Sequence, residues 1–104
     1  MATKRAKERA QPKSEEELRQ GLNAFVATSR DLDGVDVRVY VYMSARLNFR
    51  EPVHVAQIEM ATMLERQQTH ISRALRNLVA AGVLVPGPDG TRGSKWLLNP
   101  DYGT

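Results

Sequence analysis

Apolar residues recur along this chain with two periods, and the change of period divides it into elements. Leu18, Leu22, Phe25 and Val26 stand at i, i+4, i+7 and i+8, one face of a helix over residues 15–28. Ser14, followed by Glu15, Glu16 and Glu17, fits an N-cap, an acidic first turn and a capping box. That helix should end near Ser29, and Arg30–Gly34 is a connector in which Asp33 can cap the next element. Over residues 35–47 the two periods compete. Val35, Val37, Val39, Val41 and Met43 alternate as a strand does, and β-branched residues favour that state. Val37, Tyr40, Val41, Ser44 and Leu47 also make a helical face. Residues 48–52 form a loop, where Pro52 disfavours helix at Glu51, and Val53–Val55 reads as a very short strand.

The sharpest pattern runs from Val55 to Leu84. A helix over about 56–64 turns Met60, Ala61 and Leu64 inward, and Glu65-Arg66-Gln67 makes a turn. In a second helix, about 68–81, Ile71, Ala74, Leu75 and Leu78 fall on one side. At about 100° per residue, the opposite side holds Thr69, Arg73 and Arg76, flanked by His70, Ser72 and Asn77, with Gln67 and Gln68 at the N-terminal end. Gly82 suits the position that ends this helix. Val83–Val85 and Lys95–Leu98 are strands separated by the turn-rich PGPDGTRGS, so a β-hairpin follows the second helix. Trp96 and Leu98 share one face of it, with Trp96 expected in the core; Arg92 and Lys95 flank its tip. Asn99-Pro100 ends the strand and residues 101–104 form a short tail. Two helices joined by a turn, the second bearing a polar arginine face, are laid out as a helix-turn-helix whose second helix enters a DNA major groove. The hairpin then stands as a wing.

Charge sharpens this picture. The chain has 104 residues and a net charge of +3. Residues 1–13 hold five basic groups (Lys4, Arg5, Lys7, Arg9, Lys13) against one acid, residues 14–64 five against eight, and residues 65–104 five against three. Positive charge thus gathers in the tail and around the proposed reading helix, as in a nucleic-acid binder. Residues 1–13 contain no apolar side chain larger than alanine after Met1 and read as a disordered basic tail able to follow a DNA backbone. Residues 14–104 then form one domain, of a size that can bury a single core.

Other chemistries find no residues to carry them. There is no cysteine, so disulfides, thiolate metal sites and a thiol nucleophile are excluded. His54 and His70 have no second ligand at helical or hairpin spacing, Ser72 has no histidine–acid arrangement around it, and Gly87, Gly90 and Gly93 do not precede a helix. No metal, no cofactor and no enzymatic activity is expected. No apolar run approaches the roughly 20 residues of a membrane span, and the basic N-terminus lacks an apolar stretch after it; the expected location is the cytoplasm.

The segment IEMATMLERQQTHISRALRNLVAAGVL resembles the winged-helix regulators of the MarR-like kind. Residues from about Leu18 to Tyr102 are more closely similar to the RepL-type plasmid replication proteins, through DLDGVDVRVYVYMSARLNF, VAQIEMATML, HISRALRNLVAAGVL and the ending LLNPDYG. The resemblance implies a winged helix-turn-helix, mainly α with a small antiparallel β wing and an additional N-terminal helix, and it makes residues 35–47 helical. It implies a sequence-specific double-stranded DNA-binding regulator, a plasmid- or mobile-element-associated repressor, found as a homodimer joined through the helix at 15–28 and located with nucleoid or plasmid. A replication initiator binding an origin, or a winged helix used as a protein-interaction module, are the alternatives. The chain departs from the family pattern where glycine and an apolar residue usually make the turn, here Glu65 and Arg66, and where serine or threonine usually caps the reading helix, here Gln67. The first departure predicts a turn without positive φ, or a non-glycine residue held there at some cost. The second forgoes a cap worth about 1 kcal/mol.

Overall fold

Two capped helices lead the described residues, and both caps are written in the sequence. The structure, a computed structural model, describes residues 13–87 and 95–104. Helix α1, Glu15–Thr28, opens with the expected capping box: the Glu17 N–H donates to Ser14 Oγ at 3.1 Å and the Ser14 N–H to Glu17 Oε1 at 3.2 Å. It buries Leu22 and Val26 and half-buries Leu18 and Phe25.

Helix α2, Gly34–Ser44, settles the contest over residues 35–47. Asp33 and Asp36 form a second capping box, the Asp36 N–H donating to Asp33 at 2.9 Å and the Asp33 N–H to Asp36 at 3.1 Å. This nucleus satisfies N–H groups that a helix start otherwise leaves open, and it outweighs the β preference of four valines. The buried face is Asp36, Val39, Tyr40 and Met43, with Leu47 beyond the helix end. The face expected from the sequence is therefore turned by about one residue: Tyr40 and Leu47 are inside, but Val41 is 59% exposed and Val37 and Ser44 are half-buried. The inward Asp36 sets that phase, because its carboxylate receives the Asn77 amide from the helix α2 packs on. At the other end, Arg19 of α1 donates to the carbonyls of Ser44 at 2.7 Å and Leu47 at 2.6 Å. A cation thus takes up carbonyls that the end of α2 leaves without partners.

Strand β1 (Val53–His54) is followed by helix α3 (Gln57–Leu64), helix α4 (Gln68–Ala80), strand β2 (Leu84–Pro86) and strand β3 (Lys95–Leu98). Met60 and Ala61 of α3 and Ile71, Ala74, Leu75 and Leu78 of α4 are buried, as their spacing requires. Helix α4 ends in a Schellman motif: Gly82, at φ 78°, donates to Val79 O at 3.0 Å and Val83 to Leu78 O at 2.9 Å. Because Val83 belongs to that motif, β2 starts at Leu84, one residue later than its apolar pattern suggests.

The three strands form an antiparallel sheet in the order β1-β3-β2, so the strand before the helix pair flanks the returning strand of the hairpin. Val53 faces Trp96, His54 faces Lys95, and Leu84 faces Leu98. Trp96 and Leu98 are in the core, although the Trp96 indole N–H has no acceptor there. The chain is thus mainly helical with a small antiparallel sheet. The hairpin tip, with Asp89-Gly90 and Arg92, and the basic tail up to Pro12 lie outside the described residues. Among the described residues no helix is long and apolar enough to cross a membrane.

The last residues are part of the packing. The Asn99 N–H donates to Val83 O at 3.0 Å and its side-chain amide to Gly82 O at 2.9 Å. Tyr102 lies 5.6 Å from the Phe25 ring, centroid to centroid, and its hydroxyl occupies the space above Gly21 where any Cβ would stand. Residues 99–104 therefore tie the end of α4 to α1.

Candidate nucleic-acid interface

The outer side of α4 is built by subtraction. Once Ile71, Ala74, Leu75 and Leu78 are committed to the core, the 3.6-residue period leaves Thr69, Arg73 and Arg76 pointing away, and all three are exposed. Gln67 and Gln68 are exposed at the N-terminal end, and His70 is half-buried beside them. From Gln67 to Ala81 the sequence contains no acidic residue, and among the described residues neither Arg73 nor Arg76 enters an ion pair. Arg73, four residues after Thr69, and Arg76, three after Arg73, thus present fork-shaped guanidinium donors to solvent, the geometry suited to phosphate or a guanine edge.

Ser72 and Asn77 take another position. Both are half-buried, and both are held by other helices. Ser72 Oγ donates to Gln57 Oε1 of α3 at 2.7 Å. The Asn77 side-chain amide donates to both carboxylate oxygens of Asp36 on α2 at 3.3 Å. These bonds fix the rotation of α4 about its own axis, from both neighbouring helices, and so fix where Thr69, Arg73 and Arg76 point. Their partners were not singled out from the sequence. A capping-box spacing, Asp33-x-x-Asp36, carried the signal for Asp36; nothing local marks Gln57, whose role depends on the crossing of α3 and α4.

The turn between the helices shows what its departure from glycine entails. Glu65 sits in the left-handed region at φ 54°, ψ 48°, alone among the described non-glycine residues in having positive φ. Its N–H donates to Thr62 O at 3.3 Å and that of Arg66 to Ala61 O at 3.0 Å, a second Schellman motif with glutamate in the glycine place. Gln67 is the N-cap of α4, and no side chain accepts from the first-turn N–H groups. The His70 N–H turns back to Gln67 O at 3.0 Å, so the N–H groups of Gln68 and Thr69 and the positive end of the helix dipole are left to an outside acceptor, with no acid in the first turn to oppose an anion. Arg66, exposed in the same turn, adds a cation that helix spacing alone did not mark as part of the site.

The remaining candidates lie elsewhere. Lys95 is exposed at the start of β3, opposite His54 of β1, and its carbonyl accepts from the Gly87 N–H at 2.8 Å. Lys13 is exposed just ahead of α1. Arg92 and the arm residues Lys4, Arg5, Lys7 and Arg9 are outside the described residues. His54 and His70 stand on separate elements, and among the described residues no three His, Cys, Asp or Glu side chains group as a metal site would. No protein-family model, no curated protein and no solved structure matches the chain.

Proposed function

We propose that this protein is a winged helix-turn-helix that binds double-stranded DNA sequence-specifically and acts as a non-enzymatic transcriptional regulator, a repressor of plasmid or mobile-element origin. The observation that carries the reading is the outer face of α4, which holds two arginines and no acid and is locked in rotation by Ser72–Gln57 and Asn77–Asp36. In this reading α4 enters the major groove with Gln67, Gln68, Thr69, His70, Arg73 and Arg76 toward base edges and phosphates. Ser72 and Asn77 hold the helix in register, and Arg66 takes a phosphate near its N-terminus. Lys95 and Arg92 belong to the wing, and Lys4, Arg5, Lys7, Arg9 and Lys13 to a backbone-following arm.

The test begins with selection of a target from a random duplex library by the purified chain. Affinity for that target, read by fluorescence anisotropy, should fall steeply with salt as counterions return to the phosphates. At about 1–3 kcal/mol for each bidentate base contact, Arg73→Ala with Arg76→Ala should weaken binding by about 30-fold or more. Tight binding that ignores both salt and the double substitution refutes the proposal. A target that maps to a replication origin instead of a promoter would make the same surface that of an initiator.

A further inference from the structure

Beyond DNA recognition, two of the apolar residues that remain on the surface share one groove. Among the described residues, Val41, Ile58 and Met63 are the large hydrophobic side chains left exposed, at 59%, 65% and 66%. Ile58 and Met63 line a groove of about 390 Å³ between α2 and α3, together with Tyr42, Arg46, Glu59 and Thr62, whereas Val41 lines a separate groove between α1 and α2. The groove carries one cation and one anion. The Arg46 guanidinium is stacked 3.7 Å from the Tyr42 ring centroid and donates to the Tyr42 carbonyl at 3.2 Å, which holds it in place with donors to spare. Among the described residues, neither Arg46 nor Glu59 forms an ion pair. The Thr62 hydroxyl already donates to Ile58 O at 3.0 Å, so the groove floor can be covered without stranding that donor.

We propose that this groove is a two-fold contact between two copies of the chain. A two-fold interface sets a patch against itself, so it must be self-complementary. A patch with apolar residues in the middle and one charge of each sign meets that condition: Arg46 of each copy reaches Glu59 of the other, and Ile58, Met63 and Tyr42 close over one another. Helix α1, the dimer element implied by family resemblance, is less suited. Its Leu22 and Val26 are 0% and 2% exposed, its Leu18 and Phe25 are half-buried against the core, and none of its exposed positions carries a large apolar side chain.

The full chain without DNA is followed by sedimentation velocity from micromolar to millimolar concentration, so the outcome is independent of the DNA reading. A concentration-dependent dimer is expected. Met63→Glu, at an exposed position that the fold does not use, should abolish it. Arg46→Glu and Glu59→Arg should each raise the dissociation constant roughly 30-fold or more, since each sets like charges against each other twice. Circular dichroism melts check that each variant is folded. Mixing R46E with E59R should restore the dimer, because in that heterodimer both pairs are again of opposite sign. A wild-type chain that stays monomeric, or a dimer indifferent to Met63→Glu, overturns the proposal. A mixture that remains monomeric overturns the reciprocal Arg46–Glu59 pairing.

Discussion

Glu65→Gly should stabilise the protein, and the size of the gain follows from the backbone of one residue. Glu65 holds φ 54°, ψ 48°, and its side chain is exposed. A left-handed L-residue costs roughly 1–2 kcal/mol through contact of Cβ with the following carbonyl. Glycine removes that contact but loses more freedom on folding, about 0.5–1 kcal/mol. The net gain should be about 0.5–1 kcal/mol, or roughly 2–8 °C in Tm for a domain of this size. Both hydrogen bonds of the turn, Glu65 to Thr62 and Arg66 to Ala61, are main-chain bonds that survive the change. The assay is urea and thermal unfolding of wild type, Glu65→Gly and Glu65→Ala. Alanine also removes the carboxylate but keeps the Cβ, so it should show no comparable gain. Equal stabilisation by glycine and alanine would mean that charge, not backbone strain, is the source, and would refute the reasoning. Under the proposed function, loss of the acid beside α4 should strengthen DNA binding in both variants alike, an effect read separately.

Gln67→Ser should add about 0.5–1 kcal/mol by capping α4, where no side chain now accepts from its first turn; unfolding in urea measures it, and an unchanged midpoint would contradict the open cap. Asn77→Ala should cost about 1–3 kcal/mol, because it leaves the carboxylate of Asp36, 2% exposed, without its donors on α4. A loss below about 0.5 kcal/mol would show that this bond does not hold α4 against α2. Burial pushes the Tyr40 hydroxyl, which donates to Asn23 Oδ1, up to about 12, with Arg19 opposing the shift. The unfolded chain gives up that proton near pH 10 and the folded one near 12. Tyr40 therefore contributes stability that is complete below about pH 10 and is lost as pH rises from there to 12. Tyr40→Phe should flatten the unfolding free energy over that window; an equally steep fall in the variant would assign it to other groups.

Much of the architecture was legible because its signals are local. The Ser14–Glu17 capping box, the 71/74/75/78 stripe of α4, Gly82 as a terminator and the two strands around a turn-rich tip each depend on residues within one or two turns of one another. The outer face of α4 was legible for the same reason, as the complement of its buried stripe. Residues 35–47 were not, since alternation and helical spacing coexist there and valine content favours the state the chain does not adopt. Asp33 with Asp36 held the deciding signal, but its inward orientation shows only once Asn77 is seen opposite. Within the candidate site, sequence spacing placed Ser72 and Asn77 among the outward residues. Each in fact reaches a neighbouring helix, because positions at the edge of a stripe are assigned by what packs beside them.

By itself, the sequence of this protein determined the extents of α1, α3 and α4 to within a residue or so, which side of α4 is apolar, and that a positive charge excess accompanies that helix. Periodicity and capping are properties of a few neighbouring residues, so no tertiary information is needed to read them. The tertiary structure alone decided that β1 joins β3, that α2 turns Asp36 inward and leaves Val41 outside, and that Glu65 takes a left-handed backbone. It alone carried Tyr102 onto Gly21 and Phe25, and set Arg46 and Glu59 on the rim of one groove. Each of those outcomes joins residues far apart in the chain or, at Glu65, forces a local conformation to suit the crossing of two helices. Long-range packing can impose such a cost because the hydrophobic burial it secures is larger than the strain of a single turn.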